Sequence, residues 1–86
     1  MSRTDRTFIE KRVKQILFEI LDIDLKEITN DAVLIDDLGM DSFTSIEVRF
    51  EIENNFGKQI PVSELTKIKS VGDIIEYITS HMSKKR

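Results

Sequence analysis

The chain contains no cysteine, which excludes disulfides, thiolate metal sites and a cysteine nucleophile. It has one histidine, His81, close to the C-terminal end, and no Ser/His/Asp or Cys/His set can be assembled around it. Long apolar runs are also lacking. None approaches the ~20 residues of a membrane span, and the opening Met1-Ser2-Arg3-Thr4-Asp5-Arg6 is polar. A cytoplasmic protein without membrane insertion is expected. Proline occurs once and glycine three times, and there is no repeat or low-complexity stretch.

Length is limited too. The 86 residues suffice for one small domain, and a domain of that size buries only about 60% of the surface its unfolded chain exposes. A compact core is expected, without a large internal active site. Hydrophobic residues make up 40% and charged residues 34%, the balance of a folded chain rather than a disordered one.

Basic charge is scarce in the body. The net charge is −3, yet residues 15–83 hold five basic and fourteen acidic groups, a net of −9. Five of the other basic residues lie in the first fourteen positions, and Lys84-Lys85-Arg86 closes the chain. So acidic a body repels nucleic acid and attracts basic partner surfaces. No basic stripe or aromatic platform speaks for a nucleic-acid binder. Asp22-x-Asp24 hints at calcium, but the glycine and closing glutamate of an EF-hand loop are missing at the required spacing. The adjacent Asp36 and Asp37 read as solvated loop acids rather than a catalytic pair.

Helical spacing of Phe8, Ile9, Val13, Ile16, Leu17, Ile20 and Leu21 predicts an amphipathic helix over 7–21, with Thr7–Glu10 or Thr4 as its start. Residues 22–41 carry six aspartates among scattered apolar residues. That pattern suggests a long loop pinned to the core, with a helical turn near Leu34–Leu38 and a bend at Gly39. From Ile46 to Glu53, apolar and polar residues alternate, which by itself argues for a strand. On a helix the same stretch makes two apolar stripes, Val48/Ile52/Phe56 and Phe43/Ile46/Phe50. Asp41 as N-cap and Gly57 as C-cap favour the helix over 42–56. Pro61 opens a short segment, Val62–Lys67, of one or two helical turns. Ser70-Val71-Gly72-Asp73 resembles a capping box before a last helix with Val71, Ile74, Ile75 and Ile78 inward. Residues 81–86 read as a frayed basic tail beyond a single domain whose folded core spans about 4–80.

The stretch Asp36-Asp37-Leu38-Gly39-Met40-Asp41-Ser42-Phe43 resembles the attachment motif of the acyl carrier proteins, Leu-Gly-x-Asp-Ser-Leu before a helix. The likeness runs over roughly residues 4–80. It includes the acidic segment from Glu51 to Phe56 leading to Ile60-Pro61, and Ser70–Ile78 as a last helix. The resemblance implies an all-α four-helix bundle with a long first loop and a short third helix. It also resolves residues 42–56 as helix. It implies a carrier rather than an enzyme, monomeric, bearing 4′-phosphopantetheine from coenzyme A on Ser42, with Asp41 as motif residue and cap. The implied partners are a phosphopantetheinyl transferase and acyl-loading, acyl-transfer or condensing enzymes with basic docking surfaces. They would meet Phe43, Ile46, Glu47, Arg49, Phe50 and Glu51. An aminoacyl or peptidyl carrier has the same arm chemistry. Phe43 stands where the family usually has Leu, and Arg49 where it is usually apolar. Together with the mild net charge and basic tail, the two make a specialised carrier with dedicated partners at least as expected as a central one, in fatty-acid or related specialised lipid or polyketide biosynthesis. Arg49 is also spaced to pair with Glu53 at i+4.

Overall fold

A computed structural model describes residues 6–57 and 59–82. Four helices follow in order: α1 (Arg6–Leu21), α2 (Ser42–Phe56), α3 (Val62–Leu65) and α4 (Val71–Met82). A 3₁₀ turn at Leu25–Glu27 lies in the long first connection. The all-α bundle with a long first loop and a short third helix is thus the observed architecture. Among the described residues the only β-type pairing is an isolated bridge between Val33 and Ser70.

The periodic side chains of α1 explain its place. Ile9, Val13, Ile16 and Leu17 recur on one face, and all are buried against α2 and α4. Burying each contributes about 1.5–3 kcal/mol relative to exposure. α1 begins at Arg6, so Thr7 lies inside the helix rather than at its cap. The alternative start, Thr4, lies outside the described residues. Arg6 pairs with Glu10 on its own helix and with Glu76 on α4. Both pairs are exposed, so they orient the helices more than they hold them together.

α4 opens with the expected box. Ser70 Oγ accepts from the Asp73 N–H at 3.1 Å, and the Asp73 carboxylate accepts from the N–H groups of Lys69 and Ser70 at 2.9 and 3.1 Å. Val71, Ile74, Ile75 and Ile78 are all buried. His81, expected in a frayed tail, is helical: α4 continues through it, with the ring stacked on Tyr77 at 4.1 Å between centroids.

The loop between α1 and α2 is held at both levels. Ile28, Ala32, Leu34 and Leu38 insert into the core. Residues 33–39 form a tight turn in which the N–H groups of Asp37 and Leu38 both donate to the Val33 carbonyl. The Asp37 carboxylate closes the turn by accepting from the Val33 N–H at 2.8 Å. Backbone bonds then tie the loop to the entrance of α4: Leu34 N–H to Lys69 O at 2.9 Å, Val71 N–H to Ala32 O at 3.0 Å, and Gly72 N–H to Asn30 O at 2.8 Å. Gly72 permits this approach, since a Cβ there would sit 3.0 Å from the Asn30 carbonyl oxygen. No described polar or charged residue is buried in the core.

Candidate functional site

The site is built around the start of α2. Asp41 is extended and caps the helix: its carboxylate accepts from the Thr44 N–H and hydroxyl, each at 2.9 Å, and its own N–H donates to Thr44 Oγ1 at 2.9 Å. The Thr44 amide, then the Thr44 hydroxyl, hold the Asp41 carboxyl below its usual range. The cap therefore keeps its charge near neutral pH. Ser42 follows as the first helical residue and is exposed. Gly39, with φ of 73°, turns the chain into this position from the loop. A helix start has free N–H groups and the positive end of the macrodipole.

Beside Ser42 opens a cleft of about 490 Å³. Its walls come from the loop (Leu34, Ile35, Met40), from α2 (Ile52), from the α2–α3 connection (Ile60) and from α4 (Ile74, Ile78). The lining is mostly apolar. Asp41, Ser42 and Ser45 stand at the end nearest the helix start, while Arg49 and Tyr77 also contribute. Tyr77 has its phenol pushed above the ordinary range, first by burial and then by the charge of Glu64.

The two stripes of α2 separate as the helical reading requires. Val48 and Ile52 are buried at 3% and 2%, whereas Phe43, Ile46 and Phe50 are 68%, 63% and 61% exposed. Two opposed stripes nearly cancel any one-sided amphipathicity, which is why the sequence pattern imitated a strand. Ile46, Glu47, Phe50 and Glu51 are brought together and share a shallow groove with Ile20 of α1. Arg49 does not line that groove. It is half-buried, lines the cleft, and its Nε donates to Glu53 Oε2 at 3.1 Å. The same carboxylate oxygen accepts from the Ile60 N–H at 2.8 Å, so the pair also fixes the segment leading to α3.

Sequence reasoning anticipated the Asp41 cap and the two stripes. It missed the cleft, whose walls come from the loop, from α2, α3 and α4 and from the connections between them, with no common motif. It also missed the tie from Glu53 to the Ile60 backbone; the only signal was the i+4 spacing of Arg49 and Glu53.

An exposed serine at a capped helix start thus lies beside an apolar cleft in a small helical bundle. The family described as the phosphopantetheine attachment site matches residues 11–78. Two relatives, both acyl carrier proteins of Rickettsia bellii strains, are 39% and 40% identical over 83 residues. Those alignments cover 96% of this chain and 94% and 100% of theirs. A solved structure from Mycobacterium tuberculosis, provisionally described as an acyl carrier protein, superposes with a TM-score of 0.78 at 32% identity. It covers 84% of this chain and 96% of the other. The chain belongs to the acyl carrier protein family, the phosphopantetheine-bearing carriers of lipid-type biosynthesis.

Proposed function

We propose that Ser42 Oγ carries the 4′-phosphopantetheine arm and that the protein shuttles acyl intermediates in fatty-acid or related specialised lipid or polyketide biosynthesis. The observation that carries this reading is the position of Ser42, exposed as the first residue of α2 and on the rim of the apolar cleft. The residues fit the arm. Its phosphodiester would be an anion at a helix N-terminus, and the Asp41–Thr44 box fixes the backbone that presents the serine. When attached, the arm supplies a terminal thiol that holds the cargo as a thioester. The cleft falls within the ~300–1,000 Å³ of ordinary ligand sites and suits a hydrocarbon tail.

Phe43, Ile46 and Phe50, with Glu47 and Glu51, form the surface offered to the phosphopantetheinyl transferase and to the acyl-loading, acyl-transfer or condensing enzymes. The aromatic residues give contact area and the carboxylates steer basic partner surfaces. The protein works in the cytoplasm as a monomer on this reading. The aminoacyl or peptidyl carrier is the second reading; the apolar lining favours an acyl cargo over it.

The test is incubation with a phosphopantetheinyl transferase and coenzyme A. The intact protein gains the mass of one phosphopantetheine, and Ser42→Ala gains none. Modification that persists in Ser42→Ala refutes the assignment.

A further inference from the structure

We infer that the cleft selects acyl chains bearing a neutral oxygen, a hydroxyl or a keto group, and that Arg49 recognises this oxygen. The inference rests on attachment of the cargo through Ser42 and concerns what that cargo is.

Arg49 lies seven residues beyond Ser42 on α2, about 10 Å along the helix axis at 1.5 Å per residue. It therefore meets the cleft well away from the attachment end. Its side chain is only 32% exposed, and Nε is engaged by Glu53. Among the described residues, its two terminal nitrogens have no acceptor. Apolar neighbours in the cleft such as Ile52 and Ile60 offer none.

A plain hydrocarbon chain laid along this wall would strip water from those N–H groups and return no hydrogen bond. An unreplaced hydrogen bond to a charged group is costly. An oxygen on the chain would replace the lost water. The charge of that oxygen is decided by Glu53, which already balances the guanidinium at 3.1 Å. A carboxylate on the cargo would be a second anion on one cation, in a body whose net charge between residues 15 and 83 is −9. A neutral hydroxyl or carbonyl accepts the bond without that repulsion. Tyr77, also on the wall, has a hydroxyl without a hydrogen-bond partner among the described residues and can serve as a second donor or acceptor.

The experiment compares octanoyl with octanoyl chains bearing a hydroxyl at the third, fifth or seventh carbon, each loaded on the phosphopantetheinylated protein. Mass spectrometry of loading comes first, so a failure of attachment at Ser42 is seen separately and concerns only the carrier assignment. The readout is the rate at which hydroxylamine cleaves each thioester, normalised to the same chain on free pantetheine. A cargo held in the cleft is protected. The ratio of protection, hydroxylated over plain, should fall about tenfold on Arg49→Met for at least one hydroxyl position, equivalent to about 1.4 kcal/mol. A ratio that changes by less than about twofold at every position overturns the inference. Should Arg49→Met not fold, the unaltered protein decides. The Arg49 Nε–H resonance must differ between the octanoyl form and at least one hydroxyoctanoyl form, and identical resonances throughout overturn the inference equally.

Discussion

Replacing Ile52 by alanine tests the division of α2 into a buried and an exposed face. Ile52 is 2% exposed, and Ile→Ala changes in such sites cost about 2–5 kcal/mol. One side of Ile52 borders the cleft rather than close-packed neighbours, so fewer dispersion contacts are lost and about 2–3 kcal/mol is expected. A domain of this length has a total stability of about 4–13 kcal/mol at 0.05–0.15 kcal/mol per residue. The variant is then strongly destabilised yet measurable. With about 4–8 °C per kcal/mol, the midpoint should fall by about 10–20 °C. The graded change Ile52→Val should lower it by about 4–8 °C, for about 1 kcal/mol. Phe50 is two residues earlier and 61% exposed, so Phe50→Ala should cost under about 1 kcal/mol despite removing a larger side chain. The assay is thermal and urea unfolding of all three variants, followed by circular dichroism. If Phe50→Ala costs as much as Ile52→Ala, the stripe is packed in solution and is not a surface offered to partners.

Gly57 has φ of 74°, so Gly57→Ala should destabilise the protein by about 1 kcal/mol in the same unfolding assay. The Asp41 carboxyl is held below the ordinary carboxylate range by the Thr44 amide and then its hydroxyl, so as pH falls the folded state binds its proton later than the unfolded state. The stability this gives is present above pH ~3.8 and disappears as pH falls through the lower folded-state value. Thr44→Val keeps the amide and removes only the hydroxyl, so it should flatten the acid limb of a plot of melting temperature against pH in part. Glu47→Lys should slow association with a basic-surfaced partner enzyme and weaken its salt dependence, leaving the unfolding midpoint nearly unchanged; stopped-flow association at two ionic strengths reads both. Phe43→Leu should raise kcat/KM with generic fatty-acid elongation enzymes if Phe43 sets partner choice, and equal values would make it neutral variation.

The parts of the fold legible in the sequence were those governed by neighbours in the chain. Asp41 and Gly57 bracket α2 because caps act over three or four residues, and Ser70 with Asp73 announces α4 for the same reason. The alternating stretch 46–53 was ambiguous, since period two and a helix with two stripes produce the same string; the flanking caps and the family likeness resolved it as the helix observed. The cleft was illegible because Leu34, Ile60 and Ile78 meet only through tertiary packing. Arg49 illustrates both cases. Its pairing with Glu53 followed from i+4 spacing, but the Ile60 N–H that shares the same Glu53 oxygen comes from a segment no spacing rule connects to it.

The backbone bonds that join residues 30–34 to residues 69–72 have a consequence for the order of assembly. Ser42 and its cap are local and can take shape as soon as the first turn of α2 is made. The wall of the cleft needs two segments that lie on opposite sides of α2 in the chain, and closing so long an interval is an entropic burden borne late in folding. A chain still emerging from synthesis, with α1 and α2 formed but α4 not yet available, would display a reachable serine beside no shelter. Cargo on such a chain would be open to water and stray nucleophiles. If Ser42 carries the arm as proposed, the loop–α4 seam would make shelter for a thioester a property of the finished fold rather than of the first turn of α2.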